Sequence, residues 1–150
     1  MRARPIEVVP KRADAHAVLP GLLTHLSEID DDYMIADPLP DVRDWEVVLP
    51  DCRRVGKVDD LIVDTSTMMV KYLEVKEDRH VTLSDTESWV LVPVELLARI
   101  DEDGVRVVID HLPPGGLANA PRHYGRTPTA QEQRVINAYF EIVPLAPHGE

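Results

Sequence analysis

Four carboxylates fall inside or beside β-branched runs of this chain: Asp59, Asp60, Asp64 and Glu74. On a strand, alternate side chains share a face, so Asp60, Ile62 and Asp64 point one way unless a bulge at Gly56 changes the register. Two acids on one face can relay protons between water and a buried group; the same alternation also describes the wet face of a half-buried strand. Other constellations are weaker. The six histidines (His16, His25, His80, His111, His123, His148) are scattered, and none forms the His-x-x-x-His of a helical metal site. A lone Cys52 excludes a cysteine zinc site and an internal disulfide, in keeping with a reducing compartment. It lies in a predicted turn beside Arg53 and Arg54, which would favour its thiolate, but a nucleophile also needs a base and an orienting group. Asp30-Asp31-Asp32 lacks the further oxygen ligands of a hard-cation loop and is read as a solvated turn. Pro114-Gly115-Gly116-Leu117 lacks the spacing and the Lys-Ser/Thr of a phosphate loop.

The elements that must position these groups are short strands separated by turns. Trp45–Leu49 is the first, followed by a turn at Pro50–Arg53. Arg54–Asp64 is a long strand whose Gly56 marks a bulge or corner. Met69–Lys76, Ser88–Val92 and Val105–Ile109 follow, with turns at Thr65–Thr67 and Asp101–Gly104 and a longer polar connection over Glu77–Glu87. The pattern predicts a mainly β fold, a small barrel over 41–112, flanked by an extended N-terminal arm (1–40) and a C-terminal tail (113–150) with a short helix. In the arm, Pro20–Ile29 reads as a helix with Leu22, Leu23, Leu26 and Ile29 on one face and Pro20 in its first turn. In the tail, Thr129-Ala130-Gln131-Glu132 has capping-box spacing, and Val135, Ile136, Tyr139 and Phe140 line one face of the helix that follows. A helix this short must pack on the barrel or on a partner.

The formal charge is −11. Most of it sits on 41–112, where nine basic side chains face seventeen acidic ones; the first twelve residues lean basic through Arg2, Arg4, Lys11 and Arg12. Nucleic-acid binding requires phosphate neutralisation by Lys and Arg, so an acidic barrel argues against it. No run reaches the roughly 18–20 apolar residues of a membrane helix, and the start, Met-Arg-Ala-Arg-Pro, does not read as a signal peptide. With one Phe in 150 residues, the core must be built from Val, Leu and Ile.

The order of these segments resembles the PRC-barrel family. The stretches that carry the likeness are Val55-Gly56-Lys57-Val58-Asp59-Asp60-Leu61-Ile62-Val63-Asp64, Tyr72-Leu73-Glu74-Val75 and Trp45-Glu46-Val47 after Asp37-Pro38-Leu39-Pro40. Val9-Pro10-Lys11-Arg12, Leu117-Ala118-Asn119-Ala120-Pro121 and Gln131–Tyr139 extend it, over roughly 8–143, towards the cytoplasmic part of the reaction-centre H subunit. That resemblance implies a non-catalytic structural subunit on the cytoplasmic face of a photosynthetic reaction centre. It would stabilise the L and M subunits, sit beside a membrane-anchored H-type polypeptide, and assist proton delivery to the secondary quinone. Bacteriochlorophyll and quinone would belong to the partner subunits, with no cofactor or metal bound directly and no transmembrane helix in this chain. The resemblance makes Asp60, Asp64, Glu74 and His16 the proton-delivery candidates, and Arg4, Lys11, Arg12, Leu22, Leu23, Leu26 and Tyr139 the partner-docking candidates. Thr67 stands where the family carries a further acid of the proton route, and His16 is the one candidate counterpart of its surface histidines. The alternative is a free-standing PRC-barrel adaptor, acting in stress response or RNA–protein maturation and able to form a homodimer. An enzyme is the least supported reading, because no nucleophile, base and orienting group assemble in the sequence.

Overall fold

The computed structural model describes residues 5–78 and 89–141. Among these residues nine strands and one α-helix follow in chain order: β1 (Val8–Pro10), β2 (Leu23–His25), β3 (Tyr33–Ile35), β4 (Glu46–Val48), β5 (Arg54–Asp64), β6 (Met69–Glu77), β7 (Val90–Pro93), β8 (Leu97–Asp101), β9 (Arg106–Ile109) and α1 (Ala130–Tyr139). The main sheet runs β7-β6-β5-β4-β9-β8, and β2 adds to the far half of β5, beyond β4. All its pairings are antiparallel except β4 with β9, where Val47 stands opposite Val107. The sheet coils into an open half-barrel. Its curvature has a local cause: Val55 and Asp59 in β5, Lys71 in β6 and Ala98 in β8 are each skipped by the partner's register, and every such bulge bends and twists its strand.

The bulge expected at Gly56 lies on its two sides, at Val55 and Asp59. Gly56 has a different task. A Cβ there would stand 2.6 Å from the Lys76 carbonyl oxygen, so only glycine lets β5 approach β6 at this corner. Between Asp60 and Val63 four consecutive residues of β5 are buried, because the coiled sheet covers one face and the N-terminal segment the other. The wet-face reading of Asp60 is therefore corrected. The core is aliphatic as composition required, with Val58, Leu61, Ile62, Leu73, Val75 and Val107 fully buried. Strand β8 was not separated from its turn in the sequence, since Leu97–Asp101 carries only a weak alternation.

The helix expected over Pro20–Ile29 does not form. Gly21 adopts φ +83° directly after Pro20 and turns the chain, as this dipeptide favours. Residues 23–25 then pair with β5, and Leu26–Glu28 make a single 3-10 turn. The physical reason is hydrogen-bond supply. A ten-residue helix is marginal alone, whereas the edge of β5 offers ready partners: the Thr65 amide donates to Leu22 O at 2.9 Å, and the Leu22 amide to Thr65 Oγ1 at 2.9 Å. The four apolar residues consequently part company, with Leu22 exposed, Leu23 and Ile29 half-buried and Leu26 fully buried. The N-terminal segment is stitched down elsewhere too. β1 and β3 pair with each other, the Val70 amide donates to Ile6 O, and Ile6, Val8, Tyr33 and Ile35 enter the core.

α1 begins where its sequence predicts. Thr129 Oγ1 accepts from the Glu132 amide at 3.1 Å and Glu132 Oε1 accepts from the Thr129 amide at 2.9 Å. Ile136 and Phe140 are buried and Tyr139 Oη donates to Gly116 O at 2.5 Å, but Val135 faces out. Arg126 grips Glu132 with both terminal nitrogens, at 2.8 and 2.6 Å. That guanidinium, helped by the Thr129 amide, holds the Glu132 carboxyl down at about 2. A depressed carboxylate stabilises the fold above its unfolded value of 4.5 and loses that contribution as pH falls towards 2. Helical circular dichroism at fixed temperature should therefore decline over this window in the wild type. Glu132→Gln should lower the melting temperature at neutral pH and flatten that part of the acid profile.

Candidate functional site

β2, β6 and the segment before α1 converge on one buried group of side chains. β6 carries Glu74 opposite Asp60 of β5 on one side and Leu91 of β7 on the other. β2, held on the edge of β5, delivers His25, whose Nε2 lies 3.0 Å from Glu74 Oε2. The third member, His123, is placed by backbone pairing with the start of β7. Trp89 N donates to His123 O at 2.8 Å and His123 N to Trp89 O at 2.9 Å. Its Nε2 comes to 3.6 Å from the same Glu74 Oε2. His25, Glu74 and His123 are all buried, and their donor atoms lie within 4.8 Å of one another.

The surroundings fix the geometry. Asp60 accepts from the Ser27 hydroxyl at 2.5 Å, the Ser27 amide at 3.3 Å and the Leu61 amide at 2.8 Å. This holds the 3-10 turn, and with it the end of β2, against β5. On the far side Arg122, next to His123, binds Glu77 of β6 and donates to Leu117 O at 2.6 Å and Ala118 O at 2.9 Å. Asp59, turned outward by its bulge, accepts from Trp89 Nε1 at 2.9 Å. The two histidines respond in opposite senses. The hydrogen bond to Glu74 raises the His25 pKa against the pull of burial, with Glu74, Asp60 and Glu28 adding their charge. Burial lowers that of His123, and the Glu74 charge does not offset it.

Of the proton-delivery candidates, the structure brings Asp60 and Glu74 side by side. Asp64 lies at the β5–β6 turn, where its carboxylate accepts from the Ser66 amide at 2.8 Å. His16 is at the surface, its ring 3.0 Å from Asp32. Among the docking candidates, Leu26 belongs to the core and cannot meet a partner in the folded chain. Leu22 is open to solvent and Lys11 is exposed; Arg12 is engaged with Asp14 and Asp32. Tyr139 binds the chain's own Gly116. Arg4, like His80 and His148, lies outside the described residues. Two members of the acidic triplet are taken up in ion pairs, Asp30 with Arg43 and Asp32 with Arg12 and His16, while Asp31 is exposed. What the sequence reading missed is the meeting of His25 and His123 on Glu74. Partners 49 positions apart leave no spacing signal.

Residues 29–113, more than half of the chain, match the PRC-barrel domain. The chain belongs to the PRC-barrel family. No curated protein matches it. The PRC-barrel match begins at Ile29, inside the segment expected to be an arm, and takes in β3 through β9. A PRC-barrel domain is a non-catalytic structural module. The Ser27 hydroxyl donates to Asp60 and not to an imidazole, and Cys52 is exposed in the β4–β5 turn. Among the described residues no nucleophile is held by a base. No helix among them is long and apolar enough to cross a membrane.

Proposed function

We propose that this chain is a free-standing PRC-barrel adaptor that works by holding a protein partner. The observation that carries this reading is the family match over 29–113. Leu19 and Leu22, both exposed ahead of β2, are the apolar side chains such a partner would cover. Among the described residues β2 pairs only with β5, so the same partner could extend the sheet at this edge.

A second, finer reading is a cap on the cytoplasmic face of a photosynthetic reaction centre, bound to L and M subunits and a membrane-anchored H-type polypeptide. What supports it is that both segments resembling the H subunit outside the matched range are tied to the rest of the fold: β1 pairs with β3 and the Lys11 amide donates to Asp32 O, while Ile136 of α1 enters the core. In that reading Asp60 and Glu74 are the proton-delivery residues to test first, and pigments and quinone belong to the partners.

One experiment separates the two: a gentle-detergent pull-down of the tagged chain from its native cells, with an absorption spectrum of the eluate. Stoichiometric bacteriochlorophyll bands favour the reaction-centre cap. A colourless eluate with a stoichiometric protein, lost on Leu19→Asp with Leu22→Asp, favours the adaptor. A monomer that retains nothing overturns both.

A further inference from the structure

We propose that His25, Glu74 and His123 form a binding site for a first-row divalent cation of zinc type. The donor set is two imidazole nitrogens and one carboxylate oxygen, each from a different element of the fold: β2, β6 and the segment leading into α1. This combination suits zinc and its neighbours and does not suit calcium or magnesium, which require mostly oxygen.

Two observations carry the assignment independently. The first is geometric. Tetrahedral bonds of about 2.0–2.1 Å place neighbouring ligand atoms about 3.3–3.4 Å apart. Glu74 Oε2 lies 3.0 Å from one imidazole nitrogen and 3.6 Å from the other, and all three donor atoms lie within 4.8 Å of one another, so rotations that draw the two imidazoles together would let them share an ion with Glu74. The second is a polar atom with nothing to do. His123 is 6% exposed, and its Nε2 has no hydrogen-bond partner. At 3.6 Å it is beyond hydrogen-bond reach of Glu74. If that nitrogen bears a lone pair, it faces a carboxylate oxygen inside a buried site, and the two repel unless a positive charge lies between them. If it bears a proton, the proton is left unsatisfied at a cost. A cation removes the repulsion in the first case; in the second it takes the place of the proton, the ring adopting the tautomer with its proton on Nδ1 so that Nε2 can ligate.

The arrangement around the ligands is that of a supported site. Asp60 with Ser27 fixes the end of the segment carrying His25. The Arg122–Glu77 pair and the backbone pairing of His123 with Trp89 fix the other histidine. Three protein ligands leave the fourth position for water or for a donor from a bound partner. The ion would tie together parts of the chain 49 residues apart, which makes it a staple for a small domain without disulfides.

The test uses the full chain, stripped with a chelator and desalted, and zinc chloride alone as the probe. Calorimetric titration should give one equivalent bound per chain, and the melting temperature should rise with zinc concentration. Cobalt substitution should give the intense visible bands of four- or five-coordination. His123→Ala should weaken binding by more than the roughly 10–100-fold that loss of an outer-shell partner costs, while His16→Ala, at the surface pair with Asp32, should leave it unchanged. If His123→Ala does not fold, Glu74→Gln carries the same comparison. Absence of stoichiometric binding, binding insensitive to these substitutions, or a six-coordinate cobalt spectrum overturns the proposal.

Discussion

Replacing Arg122 with alanine is expected to cost about 3–5 kcal/mol, the cost typical of orphaning one member of a buried ion pair. The Glu77 side chain is only 2% exposed, and the Arg122 guanidinium is the cation bound to it. The same guanidinium ties down the carbonyls of Leu117 and Ala118, so its removal strands a buried carboxylate and frees two acceptors together. Urea denaturation of the purified chain measures the loss. The companion change discriminates the cause: Arg122→Leu combined with Glu77→Leu should recover most of the stability, because a buried pair replaced by apolar side chains is often neutral. A single-mutant loss below about 1 kcal/mol would show that the pair is solvated and of little consequence. Because His123 follows Arg122 directly, the single variant should also loosen His123 from Glu74, seen as broadening of its imidazole resonances.

Glu74 is the second position of large effect. Glu74→Ala removes the acceptor of His25 and opens a cavity in the central strand β6, and about 3–5 kcal/mol is expected from an unpaired buried group together with lost packing. Glu74→Gln keeps the volume and one oxygen acceptor for the His25 ring, so its cost should be nearer 1 kcal/mol. Unfolding curves of the two variants side by side test this. Equal losses would mean that the negative charge matters and the shape does not. A small loss in both would mean that His25 finds another partner once Glu74 is gone.

These effects belong to different levels of legibility. The sequence by itself determined what is local. Arg54–Asp64 forms one strand because Val55, Val58, Ile62 and Val63 recur along a proline-free stretch between two turns, and β5 has those bounds. Thr129 and Glu132 start a helix because both halves of the capping box lie three residues apart, and α1 begins there. Composition alone required an aliphatic core, and order of segments alone pointed to the PRC-barrel family.

Tertiary structure decided everything that depends on an edge or a meeting. Leu22 to Ile29 has helical periodicity, but the open edge of β5 supplied hydrogen bonds that a short helix could not match, and a strand resulted. Asp60 and Asp64 share a strand face in principle, yet one is buried under Ser27 while the other, the last residue of β5, serves the turn that follows. His25 and His123 looked scattered. Strand addition carries one to Glu74 and pairing with Trp89 carries the other, and neither contact leaves a trace in spacing, since long-range pairing is fixed by which backbone edges remain to be satisfied.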